Sequence, residues 1–194
     1  MTLTIFQATR QSELTSYSTA FGAAAQICLF SGTAPTDADT AYSANAVLVG
    51  LPYTVTTPFG APTAAKPSVI TAAAITQTNV YGTGTATFFR SFAQGTSGIT
   101  GAGFVIGNVY MVQTPGTSTL ANYQSIGLSA GITSLAAGQL FIATGTTLTG
   151  SGTAYLMNCV EQGTVSTSGA DLNLNTVSLV AGGPLQITSL TRSM

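Results

Sequence analysis

Charge is what this sequence has least of. Its 194 residues include 4 Lys+Arg and 5 Asp+Glu, 5% charged, against roughly 25% in an ordinary soluble domain. A net charge of -1 offers no basic footprint for phosphate neutralisation, so nucleic acid is excluded as an expected partner. Histidine is absent altogether. That removes the commonest general base and imidazole ligand at neutral pH, and with it any Ser-His-Asp or Cys-His arrangement. Long apolar runs are missing too. The mean hydropathy is +0.42, yet Gly, Thr and Ser break the uncharged stretch from Ser91 to Val160 well short of the roughly 18 consecutive apolar residues of a spanning helix. No membrane partner is expected. The opening MTLTIFQATRQSELTSY has no basic segment leading into an apolar one, which reads as a chain made in the cytoplasm. Cysteine is limited to Cys28 and Cys159, without C-x-x-C spacing. They read as buried, reduced, small hydrophobes rather than a zinc site or a disulfide.

What is present is apolar and β-forming. With 45% hydrophobic residues the chain lies in the globular range and outside the disordered one. Only Thr9–Ala25 has helical character: Leu14, Tyr17 and Phe21 recur at spacings of three and four, with Ser12 or Thr9 as a candidate cap and Gly22 as the stop. The rest reads as short strands between turns: AQICLFSG, NAVLVGLPYTV, SVITAAAI, TATFFRSF, AYLMNCVEQGTV, DLNLNTVSLV and PLQITSLT, rich in Val, Ile, Leu, Thr and aromatics. Alternation assigns Leu172 and Leu174, and again Leu185 and Ile187, to a core face. Gly182 and Gly183 predict a hairpin turn joining VSLVA to PLQITSL, with Pro184 opening the second strand.

The middle of the chain has a different texture. From residue 95 to 154, Gly recurs every few positions around three apolar runs, FVIGNVYMV, YQSIGL and QLFIATG. This segment starts directly after TATFFRSF and ends directly before AYLMNCV. If those two strands are antiparallel neighbours, their facing ends accept an insertion. The expected organisation is therefore an all-β antiparallel sandwich formed by residues 1–94 and 155–194, carrying one short N-terminal helix and an inserted small β domain, 95–154.

Catalytic and ligating residues are few. Glu13 and Glu161 are the candidate carboxylate pair of glycosidase type, but Glu13 falls on the solvated face of the helix. Lys66, in APTAAKPSV, reads as a loop residue. Asp37 and Asp39 form a D-x-D in TAPTDADTAY, without the further oxygen ligands of a calcium loop. The strings GTGT and GTSG lack the Lys-Ser/Thr of a phosphate loop. The expectation is a non-enzymatic protein with no catalytic residue, cofactor or metal.

Three pieces of the chain, LFSGTAPTDADTA with VLVGLPYT, GTATFFR, and GTVSTSGADLNLNTVSLVAGGPLQITSLT, resemble proteins encoded in the structural gene clusters of tailed bacteriophages. In simpler relatives the strand similar to TATFFR turns straight into the one similar to VEQGTV, which makes 95–154 look like an insertion at that hairpin. The insert resembles a small β module of phage virion proteins through GAGFVIGNVYMVQTPGTSTLANYQSIG and FIATGTTLTGSGTA, and departs from it around Leu128 to Leu135. The resemblance implies a virion structural protein, assembled in the host bacterial cytoplasm. The favoured role is a capsid decoration (cement) protein whose partners are the major capsid protein and copies of itself. The alternative is a tail-associated fibre or adhesin contacting a host-surface glycan. Leu14, Tyr17 and Phe21 are the candidate interface residues. Tyr110, Tyr123 and Phe141 are the candidate exposed contacts of the insert, with core packing as the competing reading for both sets.

Overall fold

The computed structural model describes residues 5–54 and 57–194, and over them the chain is all-β with a short N-terminal helix. Helix α1 (Gln7–Phe21) leads into β1 (Gln26–Ser31) and β2 (Ala46–Pro52). Three short strands follow, β3 (Val69–Thr71), β4 (Thr78–Asn79) and β5 (Gly84–Thr85), before the long β6 (Phe88–Ile99). Next come β7 (Val109–Thr114), α2 (Leu120–Ser125), β8 (Leu140–Ile142) and the long β9 (Thr153–Ser166). The chain ends in β10 (Leu172–Asn173), β11 (Ser178–Leu179), β12 (Pro184–Leu185) and β13 (Thr191–Ser193).

One seven-stranded sheet dominates, in the order β2-β1-β6-β9-β7-β8 with β10 beside β9. Its pairs are antiparallel except β10 with β9. β1 and β6 are buried on both faces, so side-chain alternation divides them between two cores. Cys28, Phe30, Phe88 and Phe92 face one core, where they meet Tyr42, Tyr110, Tyr123 and Phe141. Ile27, Leu29 and Phe89 face the other, against Leu14 and Phe21 of α1 and residues of the outer strands such as Ile70 and Leu179. That second face is covered by three two-stranded ribbons, β3 with β13, β4 with β12 and β5 with β11.

The sheet also curls until its ends meet. Leu140 of β8 lies so close to Gly50 of β2 that a Cβ at Gly50 would collide with the Leu140 Cδ1 methyl. A side chain here would keep the two edges apart, which is the reason for glycine at this position.

β6 and β9 pair antiparallel from Phe88 opposite Thr164 to Ile99 opposite Ala154. The expected boundaries at 94/95 and 154/155 therefore fall inside these strands. The sheet runs on from the first segment into 95–154, and Tyr110, Tyr123 and Phe141 share a core with Phe30 and Phe88.

Three local expectations need correction. Thr9 and Ser12 lie inside α1, whose N-cap is Phe6 without a side-chain hydrogen bond. The helix is held instead by packing and by Arg10, which donates to Ile5 O and Ala65 O; it does end at Gly22, where φ is 61°. The segment 95–154, expected to be a small β domain, also holds a helix, which overlaps the apolar run YQSIGL. Leu120–Ser125 is helical because Thr119 and Asn122 form a reciprocal capping box. Lastly, β11 and β12 do not pair with each other. The Gly182–Gly183 turn seats on Val80, which exchanges backbone hydrogen bonds with both glycines at 2.9 Å. Its two arms then take ladder partners from β5 and β4, whose backbone groups they satisfy.

Candidate functional site

The β6–β9 ladder places polar residues at adjacent rungs on opposite faces of the sheet. Arg90 stands opposite Gln162, and Ser91 opposite Glu161. On the first face Arg90, 3% exposed, donates through Nε to Gln162 Oε1 at 2.7 Å and through Nη2 to Asp37 O at 2.8 Å and Thr40 O at 2.9 Å. Its guanidinium carbon lies 4.4 Å from the Tyr42 ring centroid, a cation–π contact. Gln162 Nε2 donates to Pro35 O at 2.8 Å. The two side chains thus pin the 35–42 loop to the sheet, and a buried guanidinium costs least when every N–H finds an acceptor.

On the second face Glu161 accepts from Arg192 Nε at 2.8 Å, Arg192 Nη2 at 2.9 Å and Ser91 Oγ at 2.7 Å. This fork ties the C-terminal strand β13 to the sheet. Burial works to lower the Arg192 pKa, but its bonds to Glu161 outweigh that and hold it above the ordinary arginine value. The Tyr17 hydroxyl is buried and has no hydrogen-bond partner among the described residues. Burial first, then the neighbouring Glu161 carboxylate, pushes its pKa up.

The residues singled out from sequence sit as follows. Leu14 and Phe21 are buried at 2% and 0% exposure, and Tyr17 is half-buried beside Phe21 and Phe59. The helix stripe faces inward and offers little surface to a partner. Tyr110, Tyr123 and Phe141 are not exposed: all three are buried at 1% or less. Their rings pack on one another, and the Tyr123 hydroxyl lies 3.2 and 3.1 Å from Thr114 O and Thr153 O, to which it donates. An aromatic so enclosed has no face left for a sugar, which corrects the expectation of exposed contacts.

Glu13 is exposed on α1 and is not among the partners of Glu161. Asp37 is a turn residue: its Oδ1 accepts from Asp39 N, Thr40 N and Thr40 Oγ1 at 2.7 to 3.0 Å, and these bonds, the Thr40 hydroxyl foremost, hold its pKa below the usual carboxylate value. Asp39 and Lys66 are exposed. Both cysteines are free thiols. Burial raises the pKa of each, that of Cys159 to about 11, so the reactive thiolate is disfavoured at neutral pH. Among the described residues no group of three or more His, Cys, Asp or Glu side chains is placed to hold a metal ion. Sequence reasoning missed Arg90, Gln162 and Arg192. The signal available was an arginine inside an apolar strand, FFRSF, which must find buried acceptors.

An open groove of about 630 Å³ runs between β4 with its following bend and the 131–139 loop. Gln26, 3% exposed, lies at its floor. Its Nε2 donates to Gly138 O at 3.0 Å and to Met111 Sδ at 2.9 Å, tying the loop to β1. Comparison with protein-family models, curated proteins and solved structures finds no match to the chain.

Proposed function

We propose that the protein is a non-enzymatic structural component of a tailed-bacteriophage virion, a decoration subunit that seats on the capsid lattice beside copies of itself. The motifs similar to phage structural proteins point to that setting. The observation that carries the role is where the few charges go. Of the four Lys and Arg residues, Arg10, Arg90 and Arg192 are spent on acceptors within the chain, leaving Lys66 exposed. Glu161, Asp37 and Asp171 are likewise engaged internally. The outer surface is left sparsely charged, with Glu13, Asp37, Asp39, Lys66 and Asp171 exposed, and it carries exposed apolar side chains at Phe6, Val105, Ile106 and Val180. A surface of this kind has little repulsion to overcome when many copies pack side by side, and many modest contacts then act together.

The test is reconstitution. Purified protein is mixed with capsids lacking it and examined by cryo-EM. Density at regular lattice positions, with raised resistance of the capsids to heat, supports the role. Location on the tail alone refutes it and favours the second reading, an adhesin contacting a host-surface glycan. One observation speaks for that reading, the uncharged polar lining of the groove.

A further inference from the structure

The groove between β4 and the 131–139 loop has the make-up of a binding site for a neutral, polyhydroxylated ligand. Its wall on one side is Gln77–Tyr81 and on the other Gly131–Gln139, with Gly50 and Pro52 of β2 at the end. No charged residue contributes to it. A neutral lining gives an anionic or cationic ligand nothing to offset the loss of its hydration, so the chemistry selects against charge. It does supply amides and hydroxyls. Among the described residues, the side chains of Gln77, Asn79 and Thr133 make no hydrogen bond within the protein, and Gln77, Asn79 and Thr133 are exposed at the groove. Each amide offers two donors and an acceptor, the combination that pairs with vicinal hydroxyls, which themselves donate and accept. Pro52, Ala136 and Ala137 add apolar surface between these groups, suited to the C–H face of a sugar ring.

The walls are held in place before any ligand arrives. Ser129 Oγ donates to Tyr81 O at 3.0 Å. Gly131 packs so closely on Tyr81 that a Cβ there would clash with the Tyr81 carbonyl oxygen. In the opposite loop Gln139 closes a ring on itself, accepting from Ala136 N at 2.9 Å and donating to Ser134 O at 2.7 Å. Gln26 fixes the same loop from below through Gly138 O. A groove so braced binds without a large ordering cost, and its volume falls within the range of small-ligand sites.

We infer that this groove binds a neutral oligosaccharide, with Gln77, Asn79 and Thr133 as the hydrogen-bonding residues. The site does not depend on where in a virion the chain sits, so its failure would leave the decoration role standing, and the reverse. The experiment uses the full chain on an array of neutral and acidic oligosaccharides, followed by saturation-transfer NMR with the best neutral binder. The inference expects neutral sugars to bind and acidic ones to fail. The double variant Gln77→Ala/Asn79→Ala should weaken binding roughly tenfold or more, as loss of one to two hydrogen bonds requires. Thr133→Trp should abolish it by filling the groove. Unchanged thermal melts of these variants establish that their fold is intact, since all three positions are on the surface. Absence of any neutral binder, retention of affinity in Thr133→Trp, or equal binding of acidic sugars would each overturn the inference.

Discussion

Arg90 and Gln162 face each other across the β6–β9 ladder, and between them they hold three carbonyl groups of the 35–42 loop: Pro35, Asp37 and Thr40. The loop has no regular secondary structure of its own, so its position over the aromatic core is set by these two side chains and by the Tyr42 ring. Arg90→Met should therefore destabilise the protein by about 3 kcal/mol. The stem is replaced, but buried acceptors lose charge-assisted partners. Arg90→Lys should recover only part of this, because an ammonium cannot reproduce the fork. Urea denaturation of the three proteins checks the order, and a wild-type midpoint for the methionine variant would refute the anchoring role.

Glu161 and Arg192 give a smaller effect. The pair is partly solvated, with side chains 14% and 20% exposed, so Glu161→Gln should cost about 1 to 2 kcal/mol. The loss should centre on the C-terminal strand. Hydrogen exchange should show β13 and its partner β3 opening more readily while β1 and β6 keep their protection. Uniform loss of protection would contradict the local account.

Gly50 and Leu140 form a size-matched contact between the two ends of the sheet. Gly50→Ala should destabilise by about 1 to 3 kcal/mol through overpacking, and Leu140→Ala by about 2 to 5 kcal/mol through the cavity it leaves. Combined, the two should cost less than their sum, since the added methyl enters the vacated space. Strict additivity in a thermal-denaturation cycle would show that the residues do not touch.

Acid should weaken the protein through Asp37 and Asp171. Both pKa values are lowered from 3.8 in the fold, by hydrogen bonds from Thr40 and from Thr164 respectively. A carboxyl whose folded pKa is depressed contributes stability that is fully present above its unfolded value and is lost as pH falls through the folded one. Melting temperature should thus be flat above about pH 5 and fall below about pH 4. Asp37→Asn and Asp171→Asn should each flatten that fall. If both variants keep the wild-type acid profile, other groups carry it.

The assembly reading also has a surface test. Val105 and Ile106 are 56% and 59% exposed on the bend before β7. Val105→Asp/Ile106→Asp should leave the melting temperature within about 1 to 2 °C of wild type, as surface substitutions do. It should reduce binding to capsids if that bend lies in a contact. Sedimentation and capsid co-pelleting separate the two effects, and unchanged co-pelleting would remove the bend from the interface.

Much of the architecture is local in origin and was legible in order. The apolar runs that became β1, β2, β6 and β9 are readable because β-branched and aromatic residues cluster between turn residues. The stripe of Leu14 and Phe21 is readable because a helix repeats every 3.6 residues. The capping box at Thr119 was written there as well, in the spacing to Asn122, but the segment around it has the Gly-punctuated apolar texture of a β module. Its six helical residues give too short a period to outweigh that.

The sequence by itself settled the neutrality of the protein, its β content and the absence of imidazole chemistry, since these follow from which residues are present. It also showed that the 70 positions from Ser91 to Val160 (160 − 91 + 1) carry no charge. Only the tertiary structure decided what bounds that stretch. Arg90 and Glu161, its two flanking charges, sit at neighbouring rungs of one ladder and anchor opposite faces of the sheet. Arg90 reaches Gln162 across 72 positions of chain, and no local pattern encodes a partner at that distance. The same register decided the fate of Tyr110, Tyr123 and Phe141. An aromatic on a strand, as Tyr110 and Phe141 are, or on a short helix, as Tyr123 is, is equally at home in a core or at a binding face until the elements on either side of it are known. Here the curled sheet closes over all three.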